Sequence, residues 1–401
     1  MSKVQFDFPR LRTLFLLLAS TMTIMAGATL APALPGMQQA FTELPYAEFL
    51  VKFALSLPGL TIAICAPFFG RLLDRTYKKS VLIIALVFYA ISGVIGYFYS
   101  DSIMAILVSR LTLGTAVAAI MVACTVLAGE YFKGPKLGQY MGLQAAFGGF
   151  GGVIFLSIAG ILAEQSWTYV FLIYLFALLI LPGVMSFLYE PNKQVNMLDK
   201  AGENIPVAIA KNSLFLCYTF AALEVIVLYC VTMNLPFMLQ KLNLGSSLEA
   251  GWVLALLLLA MSVFSLLYAK ISLKLSIFKI HFIGWLLISI GLVVLSQSFD
   301  LALILSGSLT IGIGLGMIRP NLFIWLFSFT PLQVRGKVIG GITTCFFLGQ
   351  FVSAFITEPL VLQFGYHQLF LIIGVAGLIT LLLVAIKVTI DNFKSTATEA
   401  S

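Results

Sequence analysis

The sequence predicts an all-α integral membrane protein with twelve transmembrane helices, arranged as two parallel six-helix repeats. Three observations lead to this fold. The chain is 61% hydrophobic and only 10% charged, long apolar runs follow one another along it, and a residue pattern of the first half recurs in the second. Soluble domains carry about 25% charged residues, so this composition excludes a water-soluble fold.

Apolar runs separated by short polar or Gly/Pro-containing segments define the predicted spans. Each crossing needs about 20 mostly apolar residues, and 401 residues accommodate twelve crossings with short connections. The first run resembles a secretory signal, but we keep it as a span because its removal would break the internal repeat. The predicted spans are 12–33, 47–69, 80–99, 103–127, 140–162, 168–188, 212–236, 249–269, 281–298, 301–325, 339–361 and 368–388.

Basic residues indicate the orientation of these spans. Most of the 23 lysines and arginines lie in connections on the side of the N-terminus, whereas only Lys52 and Lys241 lie on the opposite side. Cytoplasmic loops carry such an excess, so both termini are expected in the cytoplasm. The longest hydrophilic stretch separates spans six and seven. The predicted organisation is a six-helix bundle over 1–189, a cytoplasmic linker over 190–211, and a second six-helix bundle with a short cytoplasmic tail over 212–401.

The second half of the chain repeats the first in a single register. Glycines in membrane helices permit close packing, which explains each glycine singly but not a shared spacing. Parallel repeats joined by a cytoplasmic linker are typical of proteins whose two bundles pivot about a site near the membrane midplane. The matches are Leu111-Thr112-Leu113-Gly114 with Leu309-Thr310-Ile311-Gly312, Gly138 with Gly336, Gly142 with Gly340, and Gly151 with Gly349.

No arrangement of residues predicts a metal, a cofactor or a nucleic acid as a ligand. The five cysteines lie in apolar stretches without a C-x-x-C pair, and neither of the two histidines has a second ligand at helical spacing. The net charge of +7 comes from basic residues that lie mainly on one predicted side of the membrane, so it does not indicate a nucleic-acid surface. The chain also lacks G-x-S-x-G and a phosphate-binding glycine loop, so an enzyme is not expected.

The connection between spans two and three carries a charged motif, Gly70-Arg71-Leu72-Leu73-Asp74-Arg75-Thr76-Tyr77-Lys78-Lys79. It resembles the G-x-x-x-D-R-x-G-R-[RK] loop of the major facilitator superfamily, with Tyr77 in place of the usual glycine. The resemblance covers essentially the whole chain and implies that family's fold, with loop charges that join cytoplasmic helix ends in one conformation only. An ordinary positive-inside loop is the alternative, but it leaves the acid unexplained. The implied gating residues are Gly70, Asp74, Arg75, Lys78 and Lys79, with Glu130 and Arg335 as partners.

Spans four and five extend the resemblance. Arg110 and Gly114 follow the family's R-x-x-x-G pattern, whose arginine is associated with proton coupling or with conformational linkage. A buried arginine is expected to face the bundle interior and to have a partner, the alternative being an outward reach to the headgroups. Gly151 and Gly152 belong to a glycine-rich stretch that resembles in part an element of the drug/proton antiporters. We assign Gly114, Gly151 and Gly152 to helix packing.

Two further ionisable side chains lie within spans. Glu224 is near the middle of span seven, and a carboxylate at that depth binds a proton readily or pairs with a cation. A permanently protonated or paired structural acid is the alternative. Arg319 precedes Pro320 about two turns from the cytoplasmic end of span ten, so both a cavity-facing role and an outward reach remain open. Glu224, Arg110 and Arg319 are the candidate proton-coupling and substrate residues.

These features predict a secondary transporter. The first hypothesis is proton-coupled efflux of a small amphipathic organic molecule, such as a drug or a siderophore. Protonation of a buried acid changes which conformation the protein prefers, so a proton gradient can bias the transport cycle. The second is proton-coupled or facilitated uptake of a small nutrient or a metal chelate, and the third is a transport-dead membrane sensor. Uncharged polar residues within spans, Tyr229 and Gln350 among them, could line a cavity.

The expected surroundings follow from the composition and the resemblance. No cofactor is predicted, and a proton gradient is the expected energy source. The expected partners are a small-molecule substrate and the lipid bilayer, with no nucleic acid. We expect a monomer in the cytoplasmic (inner) membrane, because the chain has very short outer loops and lacks N-x-[ST] acceptors.

Overall fold

The computed structural model describes residues 9–132, 135–191, 211–330 and 335–399, and within these ranges the chain forms helices and turns without a strand. Helices suit a hydrocarbon layer because each satisfies its backbone N–H and C=O groups internally. The elements are α1 (Pro9–Ala28), the 3₁₀ helix η1 (Ala31–Ala33), α2 (Leu34–Ala40), α3 (Ala47–Arg75), α4 (Lys78–Phe98), α5 (Ile103–Tyr131), α6 (Pro135–Gln165), the 3₁₀ helix η2 (Trp167–Leu175), α7 (Phe176–Phe187), α8 (Lys211–Lys241), α9 (Ser247–Ile271), α10 (Ile277–Ser296), α11 (Leu301–Ser328) and α12 (Arg335–Glu399).

The long element α12 consists of two helices that meet at Gly365. This residue has φ +80° and ψ 174°, a backbone conformation that glycine alone adopts without strain. Eleven stretches of the described residues are long and apolar enough to cross a membrane, and the last of them, Val338–Leu383, contains this break. Division at Gly365 gives twelve spans. The predicted all-α membrane fold is therefore confirmed.

Two spans differ in detail from their predicted form. Span one, predicted over 12–33, continues through η1 and α2 as one apolar stretch to Ala40. Span six, predicted over 168–188, begins as the 3₁₀ helix η2 and becomes α-helical only at Phe176. The sequence could not show either change, because a run that is apolar on all sides carries no helical period.

The described residues group into two compact units. The larger unit contains the described residues of Met1–Ala255 and Leu326–Ile356, and the smaller contains those of Leu256–Trp325 and Thr357–Ser401. Helix α8 and the first part of α12, which belong to the second predicted repeat, thus share a unit with the first predicted repeat. Of the predicted linker, 192–210 lie outside the described residues, and the two-bundle division stays a prediction.

Glycine allows α3 and α5 to cross at close range in the larger unit. A Cβ atom at Gly114 would meet the Thr61 hydroxyl and would lie 2.7 Å from the carbonyl oxygen of Pro58. Because a backbone atom cannot move aside without shifting its helix, the crossing has no room for a side chain. The predicted packing role of Gly114 fits this geometry.

We expect Gly114→Ala to lower the free energy of unfolding by about 1–3 kcal/mol, because the added methyl group overpacks the crossing. The measurement is the apparent melting temperature of the purified protein in detergent. Gly129→Ala is the matched control, since it lies in the same helix with open space around its Cβ position. Equal melting temperatures for the two variants would contradict the close crossing.

Candidate functional site

Glu224 lies near the middle of α8 and is fully buried. The contacts of α8 with α12 involve a different face, through Tyr218, Ala222 and Met233. Glu224 follows Ala222 by two residues, which places it about 200° around the helix from that contact. Its carboxyl group is thus enclosed by protein and closed to solvent in this conformation.

Arg110 is 1% exposed in the interior of the first predicted repeat. Its guanidinium donates to the Tyr174 hydroxyl at 2.9 Å and to the Gly93 carbonyl at 3.4 Å. It also lies 5.1 Å from the ring centre of Phe171 and 4.8 Å from that of Tyr174. Within the described part of the chain, neutral groups and ring faces therefore surround this cation, and its interior orientation follows the sequence expectation.

The 3₁₀ form of η2 places the two rings that hold Arg110. Residues three apart are aligned along a 3₁₀ helix, whereas they are offset by about 60° on an α-helix. Phe171 and Tyr174 have this spacing, so both rings face α4 and α5. On the α4 side, Gly93 and Gly96 leave room for them, because a Cβ atom at either position would overlap a ring. The tight helix is thus matched to a buried cation.

Arg319 is partly exposed on α11, and Asn321, two residues further along this helix, makes two hydrogen bonds. The Asn321 carboxamide donates to the Ile277 carbonyl and accepts from the Tyr268 hydroxyl, both at 2.9 Å. These bonds attach this end of α11 to α9 and α10 within the smaller unit. Pro320 cannot donate a backbone hydrogen bond, so side-chain bonds help to hold the helix there.

The basic loop makes its described contacts within the first predicted repeat. Lys78 Nζ lies 3.2 Å from Glu130 Oε1, at the end of α5. Lys79 Nζ donates to the carbonyls of Met185 and Leu188, each at 2.6 Å, where α7 ends. Arg75 is exposed, and no neighbour approaches the Cβ position of Gly70. The side chains of Asp74 and Arg335 lie outside the described part.

Glu190 is a residue that the sequence analysis placed only in the linker. Its carboxylate accepts from the backbone N–H groups of Lys78 and Lys79 at 2.6 and 2.8 Å. An acid at a helix N-terminus satisfies free N–H groups and interacts favourably with the helix dipole. The available signal was an acid directly after span six, yet nothing in the sequence shows which helix start it reaches.

Arg12 completes this cluster of charges at the predicted cytoplasmic end of the first predicted repeat. Its guanidinium lies 5.1 Å from the ring centres of both Tyr131 and Tyr189. The Tyr131 hydroxyl donates to the Tyr189 carbonyl at 2.5 Å. The arginine–tyrosine contacts, the Lys78–Glu130 ion pair and the hydrogen bonds of Lys79 and Glu190 together join the ends of α1, α4, α5 and α7.

At the predicted outer end of the larger unit, side chains of the two predicted repeats meet. The Tyr229 hydroxyl on α8 donates to the Gly27 carbonyl on α1 at 3.1 Å. The Gln350 carboxamide on α12 donates to the Leu55 carbonyl on α3 at 3.5 Å. Gly59 permits the approach, because a Cβ atom there would lie 2.7 Å from the Phe347 carbonyl oxygen.

Four phenylalanines and one ion pair lie beyond these hydrogen bonds. Phe49 and Phe53 of α3 contact Phe351 and Phe355 of α12 at ring distances of 5.5 to 5.9 Å. We call these four rings the phenylalanine layer. Nearby on α3, Lys52 is fully buried, with Nζ 2.5 Å from Glu48 Oε1, and it lies 5.1 Å from the ring centre of Phe237 on α8.

The remaining packing glycines lie on α6. A Cβ atom at Gly151 would be 3.3 Å from the Thr21 methyl group on α1, which is tighter than an ordinary contact. Gly152 is buried. Gly160 packs against Gly251 of α9 in the same compact unit, so α6 and α9 approach backbone to backbone. The short contact at Gly151 is consistent with close helix packing, and the packing roles of Gly151 and Gly152 stay predictions.

Comparison with known proteins gives a consistent result. The family model described as the Major Facilitator Superfamily matches residues 16–354 and 214–400. A segment of 77 residues is 39% identical to the 4-hydroxybenzoate transporter PcaK of Acinetobacter baylyi, and it spans 18% of this chain and only 16% of that protein.

Solved structures match the fold over almost the whole chain. A D-xylose-proton symporter matches with a TM-score of 0.74 at 17% identity, covering 92% of this chain and 97% of that one. The human organic anion transporter MFSD10 matches with a TM-score of 0.69 at 16% identity, covering 93% and 99%. The nucleoside transporter NupG has a TM-score of 0.75 at 11% identity, covering 93% and 98%. At these identities the likeness concerns the fold.

We expect Arg110→Lys to lower the free energy of unfolding by about 2 kcal/mol, because an ammonium group loses the planar fork and the stacking on two rings. The apparent melting temperature in detergent is the measurement. Arg75→Lys, at an exposed position, should leave it unchanged. If Arg110→Lys is as stable as wild type, the two rings do not hold the guanidinium as described.

Proposed function

Because the chain belongs to the major facilitator superfamily, and is a membrane transporter rather than an enzyme, we propose that it exports a small amphipathic organic molecule by alternating access in exchange for protons. The substrate class is drug-like or siderophore-like. The proposed setting is the cytoplasmic (inner) membrane, with both termini in the cytoplasm and the protein acting as a monomer. A proton gradient supplies the energy, without a cofactor and without a nucleic-acid partner.

Burial of Glu224 carries this proposal. A carboxyl group in the middle of a spanning helix and closed to solvent either carries a proton or pairs with a cation. Release of that proton requires a conformation in which water or a cation reaches the group. A gradient then biases the cycle, because the protonated and ionised forms prefer different conformations.

The other candidate residues take separate roles in this cycle. Arg110 joins three spans of the first repeat and acts by conformational linkage, because its contacts lie inside that repeat. Arg319, partly exposed next to Pro320, is the candidate cation for an acidic substrate group or for proton release. Both assignments are proposals from location and charge.

The cytoplasmic cluster serves the proposed gating. Within the first repeat, Lys78 pairs with Glu130, whereas Lys79 and Glu190 bind helix ends. These contacts keep the cytoplasmic end of that repeat together. The exposed Arg75, with Gly70, Asp74 and Arg335, is left for the contact that forms in one conformation and breaks in the other. A charged contact suits this purpose because water can replace it at a helix end.

Uptake is the second candidate function, and the comparisons favour it. A segment of this chain is 39% identical to a 4-hydroxybenzoate transporter, and the fold of the chain matches that of a D-xylose-proton symporter. Both of those proteins are named for small oxygen-bearing solutes. In this alternative the same fold and the same carboxyl group carry a proton and a nutrient in one direction. The direction of transport is therefore the point that the experiment has to decide.

We expect purified protein in inverted vesicles to accumulate a member of a fluorescent amphiphile panel when a pH gradient is imposed. Glu224→Gln should abolish gradient-driven accumulation, because an amide cannot exchange a proton, while exchange of the solute without a gradient persists. Glu43→Gln, which changes an exposed acid, is the control and should behave like wild type.

Two outcomes contradict parts of this proposal. Unchanged gradient-driven accumulation by Glu224→Gln would remove Glu224 from proton coupling. Entry of 4-hydroxybenzoate or D-xylose into right-side-out vesicles, with no amphiphile moved in either orientation, would replace export by uptake.

A further inference from the structure

Helices α6 and α9, which belong to different predicted repeats, meet at their predicted outer ends within the larger compact unit. A Cβ atom at Gly160 would lie 3.1 Å from the Gly251 Cα atom, and one at Gly251 would lie 2.9 Å from the Leu156 carbonyl oxygen. The two backbones are therefore too close for a side chain between them. Glu164 follows Gly160 by about one helical turn, so the same face of α6 carries its side chain to the start of α9.

The Glu164 carboxylate accepts a hydrogen bond from the backbone N–H group of Leu248 at 3.3 Å. Leu248 is the second residue of α9 (Ser247–Ile271), and the first N–H groups of a helix have no acceptor within it. The positive end of the α9 dipole attracts a carboxylate at this point. Glu164 itself lies in the last turn of α6 (Pro135–Gln165), where the dipole of its own helix repels it. Both helix ends therefore favour the contact of Glu164 with α9.

The start of α9 also has a cap of its own. The Ser246 hydroxyl accepts from the same Leu248 N–H group at 3.3 Å. In return, the Glu249 carboxylate accepts from the backbone N–H group and the hydroxyl of Ser246, at 2.7 and 2.5 Å. This reciprocal arrangement is a capping box. The Leu248 N–H group is thus shared between an acceptor of its own segment and an acceptor on α6.

The shared donor makes the contact between α6 and α9 reversible. If the two ends part, the Leu248 N–H group stays bonded to Ser246, and the exposed Glu164 carboxylate exchanges its partner for water. Glu249 places a second negative charge at the same helix start, which repels Glu164 and weakens the contact. The contact therefore favours one conformation without fixing it.

We propose that Glu164 is a positioning residue for transport, whose carboxylate holds the predicted outer ends of α6 and α9 together and releases them when that side opens. It acts on the equilibrium between conformations, through the start of α9, and not on the substrate. The proposal rests on the alternating access of the proposed function. It is independent of Glu224 and of the direction of transport.

Ser247→Cys places a reporter thiol beside this contact. Ser247 is partly buried and lies one turn before Gly251 on the same face of α9, and its carbonyl oxygen is 3.1 Å from the Cβ position of Gly160. Because α6 covers this face while the ends are together, their separation exposes the thiol. Its rate of reaction with N-ethylmaleimide in lipid vesicles reports the open population, and mass spectrometry of peptides separates it from the five native cysteines.

In the Ser247→Cys background, Glu164→Gln should raise the labelling rate by about two- to fivefold, the change in equilibrium that follows the loss of one charge at a helix N-terminus. Glu43→Gln is the matched control and should label at the rate of the background. It also removes an exposed acid on the predicted outer side, but from the connection between α2 and α3. Equal rates for Glu164→Gln and Glu43→Gln would overturn the proposal.

Salt distinguishes this electrostatic role from a role in packing. Raising the salt concentration from about 0.01 M to about 1 M shortens the range of interactions between exposed charges from about 30 Å to about 3 Å. We expect the labelling rate of the Ser247→Cys background to rise about twofold over this range, and that of Glu164→Gln to stay constant. N-ethylmaleimide is uncharged, so the screening acts on the protein. An equal response of the two proteins to salt would contradict an attraction between Glu164 and α9.

The two proposals fail separately. Faster labelling in Glu164→Gln, together with gradient-driven transport that ignores Glu224→Gln, would support the positioning role and reject proton coupling through Glu224. Unchanged labelling in Glu164→Gln, with transport that depends on Glu224, would do the reverse.

Discussion

In hydrocarbon, a polar group has to find its partner within the protein, and the described structure follows from this constraint. Helices satisfy the backbone, and two buried cations inside the spans, Arg110 and Lys52, have partners close by. Arg110 lies against two rings and donates to three oxygen atoms, and Lys52 has Glu48 one turn away on its own helix. The contacts of the Arg110 guanidinium thus join α4, α5 and η2 to one another.

Charge is distributed differently within the first repeat and between the two repeats. Within it, ionic and charge-assisted bonds join helix ends, as with Lys78 on Glu130 and Glu190 at the start of α4. Between the repeats, the described contacts at the predicted outer end include neutral hydrogen bonds, ring contacts and the cation–π contact of Lys52 with Phe237. Both kinds of contact hold helices of one compact unit, in which α8 and the first part of α12 pack with the first predicted repeat.

The sequence was sufficient for the class of fold, because apolar runs and positive loops record the membrane directly. It also indicated Glu224 and Arg110, since an ionisable residue inside a span stands out against apolar neighbours. It could not show the 3₁₀ form of η2, because no local propensity distinguishes it from an α-helix in an all-apolar run. Glu190, Tyr229 and Gln350 act through partners far along the chain, and a single sequence does not record such pairings.

The nine residues of η2 also set the reach of span six. A 3₁₀ helix rises about 2.0 Å per residue against 1.5 Å for an α-helix, so η2 is longer by about 4 to 5 Å than the same residues in α-helical form. The 21-residue stretch Trp167–Phe187 therefore covers a thickness that an ordinary helix of about 24 residues would cover. Rewinding η2 would shorten the span and turn the rings of Phe171 and Tyr174 out of line. The membrane thickness that span six covers and the enclosure of Arg110 therefore both depend on the 3₁₀ form of η2.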